Sequence, residues 1–163
     1  MTNTIKTVSS PESIEMIMSF LEHHTEGVLT TIDEKGLPHA SVINVHVKSD
    51  YDCYFIVKTN GFKYHNLRIN DCVVFVCFDP YSRDEVQIEG RAHEVTDRQI
   101  IDEEKKRVEA NITADNKHTP PYASILTDDF AVFNIKPTLM HTVTYIRKDN
   151  KVTSFHEKIE FED

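Results

Sequence analysis

The stretch TNGFKYHNLRIN, residues 59 to 70, sets Gly61, Lys63, His65 and Arg68 between two hydrophobic runs of an otherwise acidic chain. A small basic loop in such a chain asks for a ligand, and beside that question stands the plainer reading of Lys63 as a solvated turn residue, since lysine is common in turns.

Other chemistries find less support. Cys53, Cys72 and Cys77 form an odd count with no CxxC, which argues against a disulfide framework or a structural zinc site. Cys72 and Cys77 fall an odd number of residues apart in one apparent strand, so they are expected on opposite faces as inert packing residues. The nine histidines are scattered without HExxH or cysteine partners, so no metal site is expected. No GxSxG is present, and Ser9 and Ser10 sit at a helix start, so a hydrolase triad is not indicated. His46 reads as a strand residue facing solvent.

The elements that must position the basic loop follow from composition and periodicity. With 163 residues the chain is near the size of one domain, and one domain spanning 1–163 is expected. Twenty-seven acidic residues against 18 basic ones give a net charge of -9, which disfavours a nucleic-acid partner. No apolar run is long enough for a membrane span, and MTNTIKTVSS lacks the apolar core of a signal peptide, so no membrane partner and a cytoplasmic location are expected.

Along the chain, residues 1–10 are expected to be flexible. Pro11 to His24 reads as a helix with Ile14, Met18 and Leu21 on one face. VLTTI, the turn DEKG, PHASVINVHV and CYFIVK then read as a three-stranded meander. The basic loop closes into a short helix over Tyr64 to Ile69, and VVFVCFD and VQIEGRAHEV give two further strands. TDRQIIDEEKKRVEANI reads as a helix capped by Thr96 or Asp97, with Ile100, Ile101, Lys105 and Val108 as its apolar stripe and its charge run as a solvated face. A loop with Pro120 and Pro121 leads to FAVFNI, Pro137 and LMHTVTYI. Residues 150–163 are expected as an edge strand or an acidic tail. The sum is a mainly β chain with flanking helices, a small antiparallel barrel of six or seven strands.

In this order, GVLTTIDEKGLPHASVINV, CYFIVKTNGFKYHNLRINDCVVFVCFD and VQIEGRAHEV resemble the pyridoxamine 5'-phosphate oxidase-like family of flavin-binding split barrels, in its short branch that includes general-stress proteins. The resemblance covers residues 11 to 96, and more weakly FNIKPTLMHTVTY. It implies a split barrel of FMN-binding type and a homodimer with two FMN sites in the dimer cleft. It places Ser41, Val42, Ile43 and Asn44 along the flavin ring and Lys63 on the FMN phosphate, with Gln87, or its strand neighbour Glu85, meeting the ring or its ribityl chain.

The chain also departs from the family pattern. Relatives that bind the phosphate often carry Ser and Arg just before the lysine, where this chain has Gly61 and Phe62. Strand positions that often supply Arg and Lys are here Ser41 and His46, with Lys58 and Thr59 as possible substitutes. The absence of Trp and the acidic end EKIEFED do not suit a true pyridoxamine phosphate oxidase. The expectation is therefore an FMN-binding oxidoreductase of unknown substrate. Haem, a deazaflavin or no cofactor, the last in a dimeric binding or stress-related protein, are the alternatives.

Overall fold

The computed structural model describes residues 3–114, 129–149 and 151–162; the expected loop at Pro120 and Pro121 lies outside the described residues. Among the described residues nine strands and three helices follow one another as β1 (Ile5–Val8), α1 (Pro11–His23), β2 (Glu26–Ile32), β3 (Pro38–Asn44), β4 (His46–Val47), β5 (Cys53–Lys58), α2 (Phe62–Ile69), β6 (Cys72–Phe78), β7 (Glu85–Glu94), α3 (Arg98–Ala114), β8 (Phe130–Lys148) and β9 (Lys151–Phe161). The sheet is antiparallel and open, running β1-β9-β8-β7-β6-β2-β3, with β5 joined to β8 and to β4. This is the mainly β architecture the sequence predicts, with more strands than the six or seven expected.

The meander expected from β2 to β5 is only half present. DEKG closes β2 onto β3 because Asp33 accepts hydrogen bonds from the amides of Lys35 and Leu37, each 2.8 Å long, while Gly36 takes the left-handed φ of 77°. β3 then ends at Asn44, and only His46 and Val47 pair onward with Tyr54 and Cys53. β5 instead zips along β8, from Cys53 opposite Ile135 to Lys58 opposite Phe130. A gap therefore opens between β3 and β5.

Alternation fills the inside of the sheet with Leu29, Phe55, Phe75, Ile88, Phe133, Ile135, Met140 and Ile159, all without measurable or with only trace exposure. α1 seals one end through Ser13, Ile17 and Leu21, a face set one residue away from the expected Met18, with Ile14 only partly buried. β5 is buried on both sides. Phe55 and Val57 point into the core, whereas Tyr54 and Ile56 pack with Val132 beneath Val108, Ile100 and Ile101 of α3. Of the two caps considered for α3, Asp97 acts: its Oδ1 accepts the Gln99 amide at 2.8 Å.

Two differences from expectation concern the long C-terminal strands and the N-terminal strand that joins them. FAVFNI and LMHTVTYI are one 19-residue strand, not two, since Pro137 sits at an irregularity where Thr138 is left over between Glu89 and Gly90 of β7. A proline is tolerated at such a bulge because the ladder asks no amide of it there. Residues 151–161 are a full strand, and β1, in the segment expected to be flexible, pairs with it on its far side. β9 is thus no loose tail: β1 covers only its last residues, Ile159–Phe161, and among the described residues the rest of it is an outer edge of the sheet.

Cys72 and Cys77 lie on opposite faces of β6, Cys72 partly exposed and Cys77 buried. Burial pushes the Cys77 thiol up to about 12, and burial, reinforced by the adjacent Asp52 charge, raises that of Cys53 further. A native thiol titration with an aromatic disulfide reagent near pH 8 should therefore register one cysteine promptly, and three only after unfolding. Prompt reaction of two or three thiols in the folded protein would contradict this packing.

Candidate functional site

The gap between β3 and β5 is a cleft of about 630 Å³. That volume is within the range of small-molecule and cofactor sites. Its long wall is β3. In an antiparallel ladder the N–H and C=O of one residue point to the same side, and the side alternates along the strand. The Val45 amide donates to Thr25 O at 2.8 Å, on the side of β2. Ala40, Val42 and Asn44 must then turn their backbone groups the other way, to the edge that no strand covers among the described residues. These groups face the cleft.

The opposite lip is built by the basic loop. β5 ends at Lys58, and the chain turns at once into α2, with the Gly61 amide donating to Lys58 O at 3.1 Å. Gly61 is the N-cap and has no side chain to satisfy the first amides of the helix. Gly61, Phe62 and Lys63, which begin the helix, line the cleft. Gly61 has an ordinary φ of -97°, so its value lies in space: an added Cβ would come within 3.3 Å of Lys58 O.

Lys63 Nζ makes one long contact, donating to Val42 O at 3.5 Å across the cleft. Partial burial lowers its pKa, and among the described residues no carboxylate pairs with it. A desolvated ammonium without a counter-ion is prepared for an anion. The loop's other basic residues do not share this position: Arg68 is engaged by Glu94 at 2.9 Å, and His65 is exposed.

Of the residues expected at the site, Ser41, Val42, Ile43, Asn44, Lys58 and Lys63 line this single cleft. Thr59 lies just beyond it, its hydroxyl donating to Asp129 O at 3.2 Å. Gln87 does not join it within one chain. It sits on the outer face of β7, donating to Glu89 Oε1 at 2.8 Å, and Glu85 occupies the same face.

Sequence reading missed two parts of the cleft. One is its polar floor, where buried Asn66 donates to Thr31 Oγ1 at 3.0 Å. The other comes from α3. Its charge run, expected to be a solvated face, contains Glu104 with 1% exposure. Burial pushes the Glu104 carboxyl up, but hydrogen bonds from His46 and Arg107 outweigh it and leave the pKa lowered. His46 Nδ1 lies 2.9 Å from one Glu104 oxygen, and Arg107 Nε donates to the other at 2.8 Å. Arg107 Nη1 reaches on to Asn44 Oδ1 at 3.4 Å, so this network ends in the cleft wall. His46 is thus held inward and not simply presented to solvent.

Comparison with known proteins agrees with this architecture. The pyridoxamine 5'-phosphate oxidase family model matches residues 14–144. The chain belongs to that family. Among solved structures, it is similar to a Listeria innocua protein provisionally assigned as a pyridoxamine 5'-phosphate oxidase, with 24% identity over 85% of this chain and 98% of that one and a TM-score of 0.59. It is also similar to general stress protein 26 of Bacillus anthracis, with 16% identity, coverage of 88% and 99%, and a TM-score of 0.61. A heme binding protein from Mycobacterium smegmatis shares 14% identity over 90% of this chain and 58% of its own, with a TM-score of 0.62. At these identities the likeness to the three structures is one of fold. No relative was found among curated proteins. Among the described residues no helix is long and apolar enough to cross a membrane, and no group of three or more His, Cys, Asp or Glu residues could hold a metal ion.

Proposed function

We propose that this chain is an FMN-binding oxidoreductase, with the cofactor in the β3–β5 cleft and a second copy of the chain closing over it. The observation that carries this reading is the convergence on one cleft of a lysine without a carboxylate partner, an uncapped helix start and a strand edge without a neighbour, each so among the described residues. Lys63 and the first amides of α2 suit the phosphate. The edge groups of Val42 supply one donor and one acceptor to a planar heterocycle, and Ile43, Ile56 and Val57 give it apolar surroundings. Bound FMN would supply electron transfer, while these residues position it and exclude water. A true pyridoxamine phosphate oxidase is not proposed, because β9 mixes Glu157 and Glu160 with Lys151 and Lys158 and so brings no basic patch for a substrate phosphate.

Dimer formation is favoured by the lips of the cleft, where Val42 and Phe62 leave 63% and 85% of their surface exposed. One specific observation keeps haem as a second reading: a neighbour of the same fold is a heme binding protein. His39 lines the cleft here and would be the residue to hold a haem iron, but its Nε2 is 3.0 Å from Asp33 Oδ2, an engagement it would have to give up.

The visible spectrum of the purified protein tests the reading. The expected result is a flavin spectrum that co-sediments with a species of twice the chain mass. A Soret band would support haem, and a colourless protein that takes up no added FMN would sink the proposal.

A further inference from the structure

We infer that Arg107 recognises the carboxylate of an apolar small molecule entering the Asn44 end of the cleft. This rests on the cleft being a ligand site, and extends it from cofactor to substrate class.

The cleft has a basic side chain towards each end. β4 and β5 pair through His46 and Tyr54, so β3 runs out beside the middle of β5, which places Asn44 with Ile56 and places Val42 nearer Lys58 and α2. Lys63 serves the α2 end. At the other end α3 delivers Arg107 and Val108.

Arg107 is fixed before any ligand arrives. A guanidinium has five N–H donors in a planar fork. Nε is taken by Glu104 and one donor of Nη1 by Asn44, which leaves the second Nη1 donor and both Nη2 donors without a partner among the described residues. Glu104 cannot swing away, because it is buried and its second oxygen is engaged by His46. The Arg107 side chain is only 20% exposed, so its spare donors are partly desolvated. Such a fork favours a planar two-oxygen acceptor, and a charged acceptor makes the stronger bonds.

The walls decide what carries that acceptor. Beside Arg107 stand Ile56 and Val108, and exposed Val42 lies on the adjoining strand. They offer apolar contact, while the polar groups that share this end are Asn44 and Glu26, which pairs with Asn44 and also lines the cleft, so a carboxylate held by Arg107 binds with the Glu26 strand residue beside it. A hydrophilic polyanion would leave those walls in contact with charge, whereas an aromatic or aliphatic carboxylate satisfies both fork and walls. Glu104 neutralises the formal charge of Arg107, so selectivity comes from directed donors more than from long-range attraction.

Benzoate, with benzamide as its neutral counterpart, is the probe, titrated calorimetrically into the full chain with and without saturating FMN. Benzoate should bind more tightly than benzamide by tenfold or more. Arg107→Gln should abolish most of that preference while FMN affinity stays within about twofold. Glu104→Gln, which loosens the fork but leaves Arg107 in place, should reduce the benzoate to benzamide ratio to a smaller extent, and that ratio is insensitive to a general loss of stability. Equal binding of benzoate and benzamide by the wild type would overturn the inference. So would an undiminished preference in Arg107→Gln, or a loss of FMN with benzoate unaffected, which would assign Arg107 to the cofactor. Failure of the FMN reading shows itself separately, as an absence of flavin binding in a protein that still prefers benzoate.

Discussion

Lys63→Ala should weaken FMN binding by about 10- to 150-fold. A hydrogen bond to a charged group contributes roughly 1.5 to 3 kcal/mol, and each 1.4 kcal/mol is about a factor of ten in dissociation constant. Lys63 is suited to contribute on that scale because it is half-buried, has no carboxylate partner among the described residues, and stands beside the open amides of α2. Its one contact, with Val42 O, is long and easily surrendered to an anion. Lys63→Glu should be worse, since it adds a like charge beside the phosphate. Lys35→Glu, in the exposed turn between β2 and β3, should change little. Riboflavin lacks the phosphate and serves as the control: its affinity should scarcely respond to Lys63→Ala. Flavin fluorescence titration of the apoprotein and these variants measures all four effects. Unchanged FMN affinity in Lys63→Ala would remove the phosphate from this end of the cleft.

The lysine was legible in the sequence because everything that gives it meaning is local. Gly61, the helix start and Lys63 lie within three residues, and the end of β5 comes just before them. The β2–β3 hairpin was legible for the same reason, through alternation and DEKG. What escaped was set by distant partners. PHASVINVHV reads as one continuous strand, and nothing in it says that β3 will lose its neighbour after Asn44 and leave an edge to form a cleft. Glu104 lies in a run of charges with helical spacing, and its partner His46 is 58 residues away. A partial signal existed in CYFIVK, whose unbroken apolar run implies cover on both faces; with one face in the core, the other required an outside helix. Read in that way, α3 could have been placed on β5 and its stripe brought to the cleft. β1 escaped because IKTV is too short to declare a strand without β9, its partner more than 150 positions on.

Gly27→Ala should destabilise the fold by at least about 1 to 3 kcal/mol, the usual cost of overpacking a filled core, against a total of roughly 5 to 15 kcal/mol for a domain. The reason is distance. A Cβ at Gly27 would fall 2.3 Å from Val76 O and 2.7 Å from the Phe75 ring. The carbonyl belongs to the strand that pairs with β2, and Phe75 has no exposure through which to swing aside. Relief therefore has to come from β2 itself, shifting away from β6 and carrying β3 with it, since Gly27 is paired with Ile43. β3 is the wall of the cleft, so ligand affinity should fall together with stability. Gly36→Ala provides the contrast. Its φ of 77° makes any side chain strained, at about 1 to 2 kcal/mol, but nothing lies within 4 Å of the new Cβ and Gly36 is not among the residues that line the cleft. That variant should lose stability without losing ligand. Urea unfolding, paired with flavin titration at low denaturant, separates the two cases. If Gly27→Ala unfolds at the wild-type urea concentration, β2 and β6 are not as closely apposed as described, and the geometry of the cleft wall would have to be redrawn.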